Sequence, residues 1–352
     1  MIFKPCEINN KTVFGRTFTD DNGMALFWSG SGVEFNMLAA SLYVEIECGY
    51  EGMEMMLDII IEGERTQKLV LENGVRTYQV FKGMNPEKQV NVRIIRDTQC
   101  MPEEKVHHLI IRSFETDGEF GPAPEYGYNM EFMGDSLTSG EGCGLTKREE
   151  WIPVVFDAVE NYTYKTARLM NAKYSVISQS GWGLYASWDA NLKNVLPDYY
   201  GKVCGTTADK ACIDMNAHEE WEFPDSEKDV VLINLGTNDS GALNTGKFEK
   251  EEFLEAFRNK AVDFLRTVRK RNEASLIIWA YGMLGDDMEP FIKEAIETYK
   301  SESGDMRVEY LKLPSCTGED LGARWHPTPK AHEKVAKCIS EYLHSYQAFM
   351  LR

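Results

Sequence analysis

The sequence predicts two domains, an N-terminal β-sandwich and a C-terminal α/β/α three-layer domain on a parallel sheet. Three observations predict this. The chain has 352 residues, long for a single hydrophobic core. Residues 1–115 lack long stretches of helical periodicity, whereas from residue 128 short apolar runs alternate with long amphipathic segments. Between these textures, residues 116–127 are rich in Gly, Pro and acidic side chains and have no period, which marks them as a linker.

In the first domain, strand-like runs fall at Met37–Glu47, Met53–Glu62, Gln67–Leu71, Arg76–Phe81, Gln89–Arg96 and His107–Phe114. Turn signals such as Asp21-Asn22-Gly23, Gly49-Tyr50-Glu51-Gly52 and Glu72-Asn73-Gly74 separate several of them. Many short strands with no intervening helix imply sheet packed on sheet.

The second domain is read as residues 128–352. Its strands are predicted at Tyr128–Met133, Tyr174–Ser178, Asp229–Leu235, Ser275–Tyr281 and Val308–Leu311, and its helices include Val159–Met170, Lys250–Arg271, Met288–Lys300 and Lys330–Tyr346. In Lys250–Arg271 apolar residues recur at 253, 254, 257, 261, 264, 265 and 268, so one face can pack on a sheet. Strand and helix in alternation imply a parallel sheet covered on both faces.

Composition narrows the function classes. A formal charge of −18 opposes polyanionic partners such as nucleic acid and favours neutral sugars or small esters. No apolar run approaches the ~20 residues of a membrane span. The eight cysteines form no CxxC pair or Cys/His cluster with zinc spacing, so free thiols are expected, with no metal and no cofactor. The stretch Met1–Glu7 has no basic segment followed by an apolar one, which makes a cytoplasmic location the default expectation.

The stretch Met133-Gly134-Asp135-Ser136-Leu137 closes the first strand of the second domain and places Ser136 at a strand exit, the position of an exposed nucleophile. Gly181 in Ser180-Gly181-Trp182-Gly183 and Asn238 in Gly236-Thr237-Asn238-Asp239 follow two further strands. His326 in Trp325-His326-Pro327 precedes the last helix. Loops after parallel strands share one sheet edge, where such folds bind ligands. Ester hydrolysis needs a nucleophile, a base and donors for the oxyanion. Ser136 and His326 supply the first two. The amides of Ser136 and Gly181 with the Asn238 side chain supply the third.

These four blocks resemble those of the SGNH, or GDSL-like, hydrolase superfamily. The aspartate usual three residues before that histidine is replaced by Ala323, and Arg324 follows it. The imidazole is therefore oriented either by a main-chain carbonyl, giving a Ser-His dyad, or by a carboxylate such as Glu319 or Asp320. The whole chain resembles carbohydrate esterase family 2, through Val13-Phe14-Gly15-Arg16 and Phe27-Trp28-Ser29-Gly30-Ser31-Gly32-Val33-Glu34-Phe35 as well as the catalytic blocks. The resemblance implies a jelly-roll N-terminal domain and metal-free removal of O-acetyl groups from xylan or mannan. In the cytoplasm the substrates would be imported acetylated oligosaccharides. Trp182, Tyr185 and Trp325 are the candidates for lining a sugar site, since flat rings stack on apolar sugar faces. A lipid esterase or thioesterase of the same superfamily is the alternative enzyme. A carbohydrate-binding protein with a vestigial hydrolase site is the alternative outside catalysis.

Overall fold

The computed structural model describes residues 1–144, 152–223 and 228–346; the end of the second domain as read, residues 347–352, lies outside them. The chain divides into two compact units.

The first unit is two antiparallel six-stranded sheets. One runs Thr17–Asp20, Gly23–Leu26, His107–Thr116, Ser41–Tyr50, Gly74–Lys82, with Ile2–Phe3 also pairing to His107–Thr116. The other runs Glu119–Phe120, Gly32–Leu38, Val90–Arg96, Met56–Ile61, Glu64–Val70, with Thr12–Phe14 on Gly32–Leu38. Alternating burial in Ser41–Tyr50 turns Leu42, Val44, Ile46 and Cys48 inward. They share a core with Phe35, Ile59, Ile94, Ile111 and Phe114. The rings of Phe35 and Phe114 meet edge to face at 5.3 Å. The single run read over Met37–Glu47 is two strands: the chain ends one at Leu38 and starts the next at Ser41 in the opposite sheet.

The structure redraws the domain boundaries, most clearly at the linker and at Gly201–Trp221. The stretch read as a linker, 116–127, contributes Glu119–Phe120 to a sheet, paired with Leu38 and Met37, and the unit continues to Glu125. Residues Gly201–Trp221, read as part of the second domain, cluster with the sandwich. Long-range hydrogen bonds hold them there. Trp28 Nε1 donates to Val203 O at 2.8 Å and Arg16 Nη1 to Lys202 O at 2.6 Å. Asp209 accepts the His107 amide and His108 Nδ1–H, each at 2.6 Å. Arg16 and Trp28 come from the two strings that carry the family resemblance, so those strings also hold a segment from much later in the chain.

The second unit is a five-stranded parallel sheet in the order Ala172–Ser178, Tyr128–Gly134, Val230–Asn234, Leu276–Tyr281, Val308–Lys312. Val230–Asn234 and Leu276–Tyr281 are buried at every position, as a sheet covered on both faces requires. The helix Lys250–Arg271 forms as its periodicity predicts and buries Phe253, Leu254, Phe257, Ala261, Phe264, Leu265 and Val268. It packs on Glu289–Ser303, while Tyr162–Leu169 packs on Pro329–Ser345. The first strand in sequence sits between the second and the third. The connection from it to the second strand and that from the second to the third therefore run in opposite directions, the topology in which ligands bind beyond the C-terminal ends of the strands. Ser136 is two residues past the C-terminal end of the first strand.

Candidate active site

Asp135 N-caps a one-turn helix, Ser136–Ser139, its carboxylate accepting from the Leu137 amide at 3.0 Å. As the first residue of that helix, Ser136 has an amide without an intrahelical acceptor. Its hydroxyl lies 2.8 Å from His326 Nε2. On the other side of the ring, His326 Nδ1–H donates to the Arg324 carbonyl at 2.9 Å. The imidazole is thus held by main chain, with Nε2 left to accept from serine. Of the two carboxylates that could have reached it, Asp320 is turned to Lys334 Nζ, at 2.7 and 2.8 Å, and Glu319 is exposed.

Arg324 reaches this position through an uncommon backbone. Arg324 and Trp325 have φ of 51° and 61°, left-handed conformations that cost a non-glycine residue roughly 1–2 kcal/mol each. Gly142 lies against His326, where a Cβ would come within 2.5 Å of the His326 Cβ.

The second and third blocks come to the same place. Gly181 takes φ of 79°, and its carbonyl accepts from the Trp188 amide at 3.0 Å. Asn238 Nδ2 donates to Asp135 Oδ2 at 3.1 Å and to the Trp182 carbonyl at 2.9 Å. The side chain read as an oxyanion donor therefore has both amide hydrogens engaged, and ties the serine strand to the Gly181 loop. It can donate to a bound oxyanion only by releasing one of these bonds, of which that to Asp135 is the longer. Burial pushes the Asp135 carboxyl up to about 7, against the pull of the Leu137 amide.

Among the aromatic candidates the structure separates one from two. Trp325 is 61% exposed beside His326. Trp182 is buried, with its ring 4.8 Å from that of Tyr199, and Tyr185 packs edge to face on Phe253 at 5.2 Å. Trp182 presents no open face, whereas Tyr185 is half-buried. The second exposed indole is Trp188, at 63%, lying against Gly181. Sequence reasoning missed it because position 188 follows no motif glycine. It also missed Asp239, one residue past Asn238. The Asp239 carboxylate is fully buried and accepts the amides of Leu184, Tyr185 and Ala186 at 2.9, 2.7 and 3.0 Å, which fixes the loop following Gly181. Burial raises its carboxyl to about 6.

Comparison with known proteins agrees with this architecture. Residues 130–339 match the family described as GDSL-like Lipase/Acylhydrolase, and residues 13–124 match Carbohydrate esterase 2 N-terminal. The chain superposes with a TM-score of 0.94 on an acetyl xylan esterase from the rumen bacterium Butyrivibrio proteoclasticus, at 32% identity and 99% coverage of both chains. It is 23% identical to an acetylxylan esterase / glucomannan deacetylase of Cellvibrio japonicus, covering 94% of this chain and 87% of that one. It is 24% identical to the cellulase/esterase CelE of Acetivibrio thermocellus over 92% of this chain, and spans 38% of that protein's length. With a GDSL-like domain on a carbohydrate esterase 2 sandwich, the chain belongs to carbohydrate esterase family 2.

Proposed function

We propose that the protein is a carbohydrate O-acetylesterase that deacetylates xylan- or mannan-derived oligosaccharides through a serine acyl-enzyme. The 2.8 Å contact between Ser136 Oγ and His326 Nε2, with the far side of the ring held by a carbonyl, carries the reading. As Ser136 Oγ bonds to the acetyl carbon, Nε2 takes its proton and the Ser136 and Gly181 amides receive the oxyanion. The protonated ring then delivers that proton to the departing sugar hydroxyl. Water, deprotonated by the same nitrogen, attacks the acyl-serine; the bond from the acyl carbon to Ser136 Oγ breaks, the ring returns the proton to Oγ, and acetate leaves. The names of the relatives support acetylated hemicellulose as the substrate class. Two exposed tryptophans, Trp188 and Trp325, supply flat apolar faces for sugar rings. All eight cysteines are free, which supports a reducing compartment, where short oligosaccharides are the accessible form of the substrate.

The test is acetate release from acetylated xylo- and manno-oligosaccharides, alongside nitrophenyl esters of increasing acyl length. Activity confined to short acyl chains and abolished by Ser136→Ala is the expected result; activity that rises with chain length would make the protein a lipid esterase instead. Sugar binding without turnover in the parent would point to a binding module.

Stacking on Trp188 makes a further prediction. Trp188→Ala raises KM for acetylated oligosaccharides by about tenfold, equivalent to roughly 1.4 kcal/mol, and leaves turnover of nitrophenyl acetate within about twofold. Equal losses on both substrates would place Trp188 in support of the Gly181 loop rather than in sugar contact.

A further inference from the structure

Glu141 is a buried carboxylate that the mechanism above does not use. Its side chain is 6% exposed, and Oε1 accepts from Arg324 Nε at 2.7 Å. Its other oxygen, Oε2, lies 3.8 Å from His326 Nε2. The backbone at Glu141 is pinned twice. Its amide donates to the Ser136 carbonyl at 3.1 Å, and it pairs with Phe156 in an isolated antiparallel bridge. One residue therefore touches both halves of the dyad: through its amide the turn that carries the serine, and through its side chain the arginine whose carbonyl orients the histidine.

We infer that Glu141 is the positioning residue of the site: it anchors Arg324 in its left-handed conformation and sets the field at His326 jointly with the arginine. This deepens the esterase reading and rests on it. Arg324 has no conformational reason of its own to hold φ at 51°. A charge-assisted bond to a carboxylate buried beside the histidine provides one. Without that anchor the strained turn can relax, and the carbonyl moves away from Nδ1. The pair also answers an electrostatic difficulty. A lone guanidinium two residues from the histidine would oppose the imidazolium formed during catalysis, and a lone buried carboxylate would over-stabilise it. Paired at 2.7 Å, the two charges largely cancel.

The other titratable groups around His326 are Asp135 at the strand end, whose field Glu141 shares, and His332 on the Pro329–Ser345 helix, which His326 and Lys165 influence. Burial keeps His332 neutral, pushed down to about 3. Lys165 is engaged by Glu160 at 2.6 Å. None of these changes in the variants below.

The experiment measures kcat and KM on nitrophenyl acetate against pH for the parent, Glu141→Gln, Arg324→Met, Arg324→Lys and the double variant Glu141→Gln/Arg324→Met, with melting temperatures for each. Glu141→Gln is expected to lower kcat about tenfold or more at unchanged KM, and to move the acid limb of kcat/KM down by about half a pH unit or more. Arg324→Met moves that limb up, the double variant returns it toward the parent, and Arg324→Lys keeps it while still lowering kcat. A purely structural ion pair would lower stability without opposite shifts. Limbs that coincide with the parent's or move in the same direction would overturn the inference. Arg324→Met, at the more exposed end of the pair, carries the test alone if Glu141→Gln does not fold. A parent inactive on acetyl esters would instead overturn the proposed function, and is seen before any variant is compared.

Discussion

Ser136→Ala and His326→Ala are each expected to lower kcat by about 10⁴- to 10⁶-fold, and the double variant to be no worse than the more damaged single one. The reason lies in the 2.8 Å contact between the two side chains. Serine without a base is a weak nucleophile at neutral pH, and a base without serine has no proton to take, so removing either removes the same step. The residual rate should reflect the amide donors and substrate positioning alone. Burst-phase and steady-state kinetics on nitrophenyl acetate check this. Losses that multiply in the double variant would mean that the two residues act in separate steps, and a fully active His326→Ala would assign the base elsewhere. KM should change little, because neither side chain is needed to bind the sugar.

Asp239→Ala is expected to be the most destabilising single change near the site. Its carboxylate accepts three amides from consecutive residues, Leu184, Tyr185 and Ala186, in a fully buried position. Leaving a buried amide unpaired costs about 1–3 kcal/mol. The loss should therefore be about 3 kcal/mol or more, and activity should fall with it as the Gly181 loop loosens. Asp239→Asn should cost less, since the amide oxygen can still accept from Tyr185 and Ala186 while its NH₂ opposes the Leu184 amide. The pH dependence has a definite sign. The folded-state pKa of Asp239 is raised to about 6, above the ~3.9 of an unfolded aspartate. Between these values the folded protein binds more protons than the unfolded one, so this group's contribution to stability declines as pH rises from about 4 to 6. Asparagine does not titrate. The stability gap between parent and Asp239→Asn should accordingly be widest near pH 4 and narrow toward pH 7. Thermal or urea unfolding at the two pH values measures it, and a gap that widens toward neutral pH would show that the ionised carboxylate is the favoured form.

Much of the fold was legible because periodicity encodes burial. The seven apolar positions read in Lys250–Arg271 are all buried, and the five parallel strands lie within one or two residues of where their apolar runs place them. Three of the four candidate blocks were legible because each follows a strand, and the strand order brings those strand ends to one edge; His326 was legible only from its place before the last helix. Met37–Glu47 was misread because Ala39 and Ala40 carry no turn signal, although the chain changes sheet there. Gly201–Trp221 was assigned to the wrong unit because its partners, Arg16, Trp28 and His107, are 102 to 186 residues away in sequence.

The sequence by itself determined the two architectures and the pairing of a strand-end serine with a distant histidine, since both rest on local pattern and on residue type. Tertiary structure alone decided what holds the histidine, which tryptophans face outward and where the buried carboxylates act. A carbonyl oxygen is present at every residue, and only the left-handed turn at Arg324 selects one of them for His326. Trp182 and Trp188 are chemically identical in the sequence, and exposure distinguishes them only once the Gly181 loop is folded over Asp239. Glu141 is one of 56 acidic residues until folding buries it between the serine turn and Arg324, because the field of a charge depends on distance and burial rather than on its place in the chain.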